Sequence, residues 1–159
     1  MSRSVYLDST IPSYLFDERE SLNTYVEVTK KWWEEERQHF DVWISGETIA
    51  ELSQGDYPNK PKIIECIAQL PVLSPHTSII DIARVYLANS LMPRALTGDA
   101  LHLAYASYYK IDFLLTWNCN HLANANKKQH IRIINTRINL FTPEIITPLE
   151  LFTEREEPC

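Results

Sequence analysis

Residues 96–117 read LTGDALHLAYASYYKIDFLLTW, and the fold turns on how this stretch is read. Thr97, Gly98 and Asp99 open a helix whose body, with Leu101, Leu103, Ala104 and Ala106, is apolar over much of its circumference. The joint Lys110-Ile111-Asp112 leads directly into an apolar strand, Phe113 to Thr116. A strand this uniformly apolar is buried on both faces, as strands of parallel sheets are. The helix before it must press its N-terminal end against a sheet edge, and it carries Asp99 there. Asp99 has two readings: a first-turn acid stabilised by the helix dipole, or one member of an acid cluster gathered at that edge to hold a metal ion. His102, one turn further on, reads as a hydrogen-bonded core or cleft histidine rather than a metal ligand.

Toward the N-terminus, Ser4 to Leu7 is a short buried strand, and Asp8-Ser9-Thr10 turns into Ile11 to Phe16, with Pro12 suited to a helix start. Asp17 to Glu20 is a loop. Leu22, Tyr25, Val26, Thr29, Trp32 and Trp33 recur at three and four, which predicts one amphipathic helix from Leu22 to about Gln38 with Glu34-Glu35-Glu36 on its wet face. Phe40 to Ile44 is a strand ending at Ser45, which caps a helix from Glu47 to about Ser53. A helix over Lys60 to Leu70, a short strand at Val72-Leu73 and a helix beginning at Thr77 or Ser78 follow, the last stopped by Pro93. Beyond the deciding stretch come a loop from Asn118 to Lys128, a strand near Ile131 to Ile134, and a tail containing Pro143 to Pro148.

Helices alternating with short apolar strands predict an α/β fold: a three-layer sandwich whose central, mainly parallel sheet of four or five strands is flanked by helices. One domain over 1–152, with a short tail 153–159, suits a chain of 159 residues. Ligands of such sheets collect outside the carboxyl ends of the strands. Asp8, Ser45 and Asn118 all fall at or just after those ends, so one edge is loaded with polar groups.

Composition narrows the function. The apolar fraction of 45% and charged fraction of 23% are those of a folded globular chain. Cys66, Cys119 and Cys159 match neither a disulfide framework nor a zinc pair, and Cys119 with His121 lacks the second pair a zinc site needs. No apolar run approaches the roughly 20 residues of a membrane span, and Met1 to Ser4 runs into a strand without a signal segment, so a cytoplasmic protein without a membrane anchor is expected. A net charge of -6 argues against holding nucleic acid through bulk positive charge. It does not exclude a nuclease, because a metal-binding acid cluster is itself negative. Lys127-Lys128 with Arg132 and Arg137, and Lys30-Lys31, are the local basic spots. With three glycines, a glycine-rich phosphate loop is excluded.

Taken singly the other acids are ambiguous. Asp8 after a strand is either an Asx-turn for the next helix or a site residue. Glu51, one turn after Glu47, is either solvated or cleft-facing. Their order along the chain adds more. V-Y-L-D-S-T with Asp8, S-x5-E-L from Ser45 to Glu51-Leu52, G-D-A-L-H-L-A-Y-A with Asp99, L-L-T-W-N reaching Asn118, and I-I-T-P-L-E-L near the C-terminus together resemble the PIN domain family, the metal-dependent nuclease fold of VapC-type toxins in bacterial toxin-antitoxin pairs.

That resemblance implies a metal-dependent endoribonuclease that hydrolyses RNA phosphodiester bonds, is neutralised by a small antitoxin and forms a homodimer. It also implies Mg²⁺ or Mn²⁺ held by Asp8, Glu51 and Asp99, hard ions that prefer oxygen ligands and activate water. Asn118 would complete the catalytic set where many relatives carry a fourth acid, although its amide oxygen brings no charge to a second metal. Ser9, Thr10, Thr116, Asn120 and His121 would hydrogen-bond the acids or a phosphate. Two other classes compete. One is a catalytically reduced PIN-like module that binds RNA or protein. The other is a phosphatase using Asp8 as nucleophile, which would want an acid where Thr10 stands.

Overall fold

A computed structural model describes residues 2–93 and 97–153. Leu96 at the head of the deciding stretch, and residues 154–159 of the expected tail with Cys159, lie outside the described residues. Five strands, β1 (Arg3–Leu7), β2 (Phe40–Ser45), β3 (Val72–Leu73), β4 (Phe113–Leu115) and β5 (Glu144–Ile146), form one sheet in the order β3-β2-β1-β4-β5. Every pairing is parallel. Between the strands run the helices α1 (Thr10–Leu15), α2 (Asn23–Lys31), α3 (Gly46–Ser53), α4 (Lys60–Ile67), α5 (Thr77–Ala88), α6 (Thr97–Tyr108) and α7 (Ala125–Arg137).

The two-residue period of the strands sorts their side chains into two cores. Val5, Leu7, Val42, Ile44, Phe113 and Leu115 face one way and pack against Ile11, Trp32, Leu52, Ile63 and Ile67 of the first helices. Tyr6 and Leu114 face the other way, against Ile79, Tyr86, Leu103, Ile131 and Ile134 of α5, α6 and α7. The result is the expected three layers, with β1 and β4 buried on both faces.

The chain builds β1, β2 and β3 outward in one direction, then returns through α5 and α6 to place β4 on the other side of β1. The carboxyl ends of β1 and β4 are therefore the point where the connections diverge and a crevice opens. Leu7 is level with Leu115, so Asp8 and Thr116 leave the sheet side by side. By the same period both turn to the α6 face, as Tyr6 and Leu114 do.

The fold departs from the sequence pattern at three places. The helix predicted over Leu22 to Gln38 is broken into α2, a wide π-type turn over Trp32–Glu36, and a 3-10 turn over Arg37–His39. Trp32 and Glu36 are both buried, and Glu36 Oε2 accepts from Thr153 N at 3.2 Å and Thr153 Oγ1 at 2.7 Å, so this last acid of the run is not on a wet face. Ile131 to Ile134 is not a strand but the middle of α7. A four-residue apolar run does not separate the two periods, whereas Ile131, Ile134 and Asn135 are buried at helical spacing and Asn124 caps the helix by accepting from Lys127 N at 2.9 Å. Finally, Glu144–Ile146 lies in the region read as tail and is the edge strand β5 against β4.

Asn135 is fully buried: its Oδ1 accepts from the Tyr86 hydroxyl at 2.7 Å, and its Nδ2 donates to Ser107 Oγ at 3.1 Å and to the Phe141 carbonyl. Replacing it with alanine leaves those groups without partners, and denaturant unfolding of Asn135→Ala is expected to show a loss of about 1–3 kcal/mol.

Candidate active site

Asp8 follows β1 directly and is 2% exposed. Its Oδ1 accepts from the Thr10 backbone N–H at 3.0 Å and from Thr10 Oγ1, and its Oδ2 accepts from Thr116 Oγ1 across the β1–β4 register. Thr116 Oγ1 in turn accepts from Asn118 N at 2.9 Å, and Thr10 Oγ1 from Trp117 N at 3.0 Å. The carboxylate is thus fixed from both strand ends. Burial raises its pKa, opposed by the His102 charge and the two hydroxyls, and the Asp99 charge raises it further.

Asp99 stands in the first turn of α6, half-buried, and its Oδ2 accepts from Asn118 Nδ2 at 3.0 Å. Burial again raises the pKa, the His102 charge opposes this and the Glu51 charge adds to it. Two carboxylates on one edge, each raised by burial and each feeling other acids, leave an excess of negative charge that His102 offsets in part and a bound cation would relieve further.

Glu51 reaches the same edge from α3 but is engaged differently. Its Oε1 pairs with His102 Nε2, and its Oε2 accepts from Ser9 Oγ at 3.0 Å. Burial pushes its pKa up, and the His102 hydrogen bond and charge with the Ser9 bond outweigh it, leaving Glu51 below the ordinary carboxylate value. His102 is 1% exposed. Burial disfavours its charge, but Glu51, Asp8 and Asp99 together hold its pKa above the ordinary value. Its Nδ1 lies 2.6 Å from the Tyr6 hydroxyl, which is 2.6 Å from Ser45 Oγ. Nε2 carries the proton that faces the carboxylate. The Tyr6 hydroxyl donates to neutral His102 and accepts from the imidazolium, so the chain of bonds serves either charge state.

Asn118, expected among the catalytic residues, uses its amide to hold Asp99 while its Oδ1 accepts from His121 N at 3.0 Å. With Nδ2 and Oδ1 so committed, it orients Asp99. His121 is half-buried, and its ring charge lowers the Asp99 pKa. Asn120 is exposed, and among the described residues its side chain bonds to none of the acids. Ser9, Thr10 and Thr116 each bond an acid.

Sequence reasoning did not include Tyr6, Glu47 or Gly98 in the site. Tyr6 was available as the residue two before Asp8, on the same strand face. Gly98 allows α6 to approach α3: a Cβ there would lie 3.0 Å from Glu51 Oε1 and 3.2 Å from Glu47 Oε1. Glu47 is half-buried beside Glu51, and burial with the Glu51 charge raises its pKa.

Among the described residues no three His, Cys, Asp or Glu side chains converge tightly enough to hold an ion alone. The donors still fit Mg²⁺ or Mn²⁺ in kind. Such ions are held through one or two carboxylates and keep several waters, and Asp8 and Asp99 are two oxygen donors with charge to spare. Glu51, the third carboxylate of the expected set, stands at the same edge with Oε1 on His102 and Oε2 accepting from Ser9.

No family model matches the sequence, and no curated protein matches it. Solved structures do match the fold. The chain is similar to VapBC2 from Rickettsia felis bound to a DNA fragment from their promoter, at 14% identity and TM-score 0.57, over 91% of this chain and 98% of that one. It is similar to VapBC-1 from nontypeable Haemophilus influenzae at 17% identity and TM-score 0.56, over 92% and 98%. It is also similar to Mycobacterium tuberculosis VapC20, a Sarcin-Ricin loop cleaving toxin, at 12% identity and TM-score 0.54, over 69% and 86%. With its parallel sheet and helices on both faces, the chain has the fold of the VapC-type PIN domain.

Proposed function

We propose that this chain is a divalent-metal-dependent endoribonuclease of the toxin type, hydrolysing RNA phosphodiester bonds and neutralised by a small antitoxin. The observation that carries the reading is the meeting of Asp8 and Asp99 at the β1–β4 switch point, both raised by burial and both held by hydrogen bonds from Thr10, Thr116 and Asn118. The VapBC structures among its fold neighbours support an antitoxin partner, and the Sarcin-Ricin loop cleaving neighbour supports RNA as substrate. The cytoplasm and a homodimer are part of the same proposal.

Asp8 and Asp99 would hold Mg²⁺ or Mn²⁺. When bound, the ion supplies Lewis-acid stabilisation of phosphate charge and a lowered pKa for attacking water. Asn118 and the Thr10–Thr116 hydroxyls keep the two carboxylates in place, so little reorganisation is needed when substrate arrives. Glu51, ionised through its His102 partner, presents Oε2 beside Ser9 as an acceptor that orients the water.

Incubating single-stranded RNA with the protein and Mg²⁺ or Mn²⁺ should give cleavage that stops with EDTA, and Asp99→Ala should slow it at least about a hundredfold, since the step depends on several kcal/mol of charge stabilisation. No cleavage, or cleavage unchanged in Asp99→Ala, would defeat the proposal. Asn118 favours one second reading, a reduced module that binds RNA or protein without turnover. That reading expects metal and RNA binding with no cut product.

A further inference from the structure

A cleft of about 350 Å³ lies between α1 and the C-terminal end of α3, lined among others by Ser9, Ser13, Tyr14, Glu51, Gln54 and Tyr57. It is continuous with the acid edge, since Glu51 and Ser9 belong to both and Ser9 follows Asp8. Tyr14 forms one wall of it. The Tyr14 ring stacks on Trp117 with centroids 6.0 Å apart and planes 15° apart. Trp117 is pinned by its Nε1–H donating to Thr29 Oγ1 at 2.8 Å and by Tyr25 set edge-on at 5.0 Å. Gln54 is exposed, and among the described residues the side-chain polar groups of Gln54, Ser13 and Tyr14 make no hydrogen bond.

These features select a ligand class. No lining residue is cationic and one is an ionised carboxylate, so a phosphate is repelled. The volume is near the lower end of the roughly 300–1,000 Å³ of small-molecule sites, which suits one planar group and not a duplex. Flat aromatic walls beside free amide and hydroxyl groups are the means by which unpaired bases are stacked and their edges read. We propose that the cleft seats the unpaired nucleobase next to the scissile phosphate of single-stranded RNA, with Tyr14 stacking on the base and Gln54 reading its edge. The assignment rests on the ribonuclease reading above, which places the phosphate at Asp8 and Asp99.

The test is cleavage of a randomised single-stranded RNA pool with Mg²⁺, with sequencing of the cut ends and kcat and KM measured on one preferred oligonucleotide. Tyr14→Ala should lose about tenfold or more in kcat/KM, the scale of a lost base stack, with most of the loss in KM, while Tyr14→Phe keeps the ring and stays near wild type. Gln54→Ala, at an exposed position, should fold normally and change the ranking of bases at one position beside the cut. If Tyr14→Ala fails to fold by thermal melting, the Gln54→Ala ranking decides. Wild-type kinetics in folded Tyr14→Ala, or an unchanged base ranking in Gln54→Ala, would overturn the assignment. So would a protein partner that alone responds to these variants. A wild-type protein that cuts no RNA would instead defeat the functional proposal itself, so the two failures are distinguishable.

Discussion

Asp8→Asn is expected to slow metal-dependent RNA hydrolysis by about a thousandfold, because the several kcal/mol that a carboxylate-held ion contributes to phosphoryl chemistry convert to that order of rate. The same substitution should leave the fold intact or firmer. The asparagine Oδ1 keeps the bonds from Thr10 N and Oγ1, and the Thr116 hydroxyl can turn to accept from the new amide. The Asp8 pKa is raised in the fold by burial above its ordinary value of 3.8, so at higher pH the ionised group costs stability. In EDTA at pH 8, Asp8→Asn should therefore melt at or above the wild-type temperature, and the difference should vanish as the pH falls toward that ordinary value. Lost activity with retained or increased stability is the signature of a charge kept for function. Thermal melting and cleavage rates on one preparation check both halves.

The second large effect concerns His102. His102→Gln removes the imidazole that pairs with Glu51 Oε1 and accepts from or donates to Tyr6, and at pH 6 a loss of about 1.5–3 kcal/mol is expected, the range for a hydrogen bond to a charged group. Its pH dependence follows from two opposite shifts. The His102 pKa is raised, so its contribution is complete below its ordinary value of 6.5 and fades as the pH rises through the folded value. The Glu51 pKa is lowered, so its contribution is present above its ordinary value of 4.5 and fades as the pH falls through the folded value. The pair contributes most between those two ordinary values, and the gap between wild type and His102→Gln should narrow in alkaline melts. A gap that widens with pH would mean that His102 is buried neutral and that Glu51 is not its main partner.

The sheet was legible in the sequence where strands are uniformly apolar and bounded by turns, as Val5 to Leu7 and Phe113 to Leu115 are. The places of Asp8 and Asp99 in the chain were legible too, since a strand end and a helix start fix them locally, but taken singly each acid kept two readings. What failed was decided by longer contacts or by windows too short to carry a period. Ile131 to Ile134 is too short a window to carry the helical period, which emerges only over Ala125–Arg137 with Asn124 as its cap. Glu36 looked solvent-facing because its partner, Thr153, is far away in the chain. The Glu51–His102 pair joins α3 to α6, and nothing near either residue announces the other. Gly98, small where α6 crosses the Glu51 and Glu47 carboxylates, is intelligible only once that crossing is known.

The central claim is that Asp8 and Asp99 meet at the β1–β4 switch point in order to hold a divalent ion. Crystals grown with Mn²⁺ and measured for anomalous scattering test it most directly. An anomalous peak bonded to carboxylate oxygens of both Asp8 and Asp99, and absent in Asp99→Ala, is the predicted result. Crystals with no peak at that edge, and with both carboxylates bonded only to Thr10, Thr116 and Asn118, would contradict it.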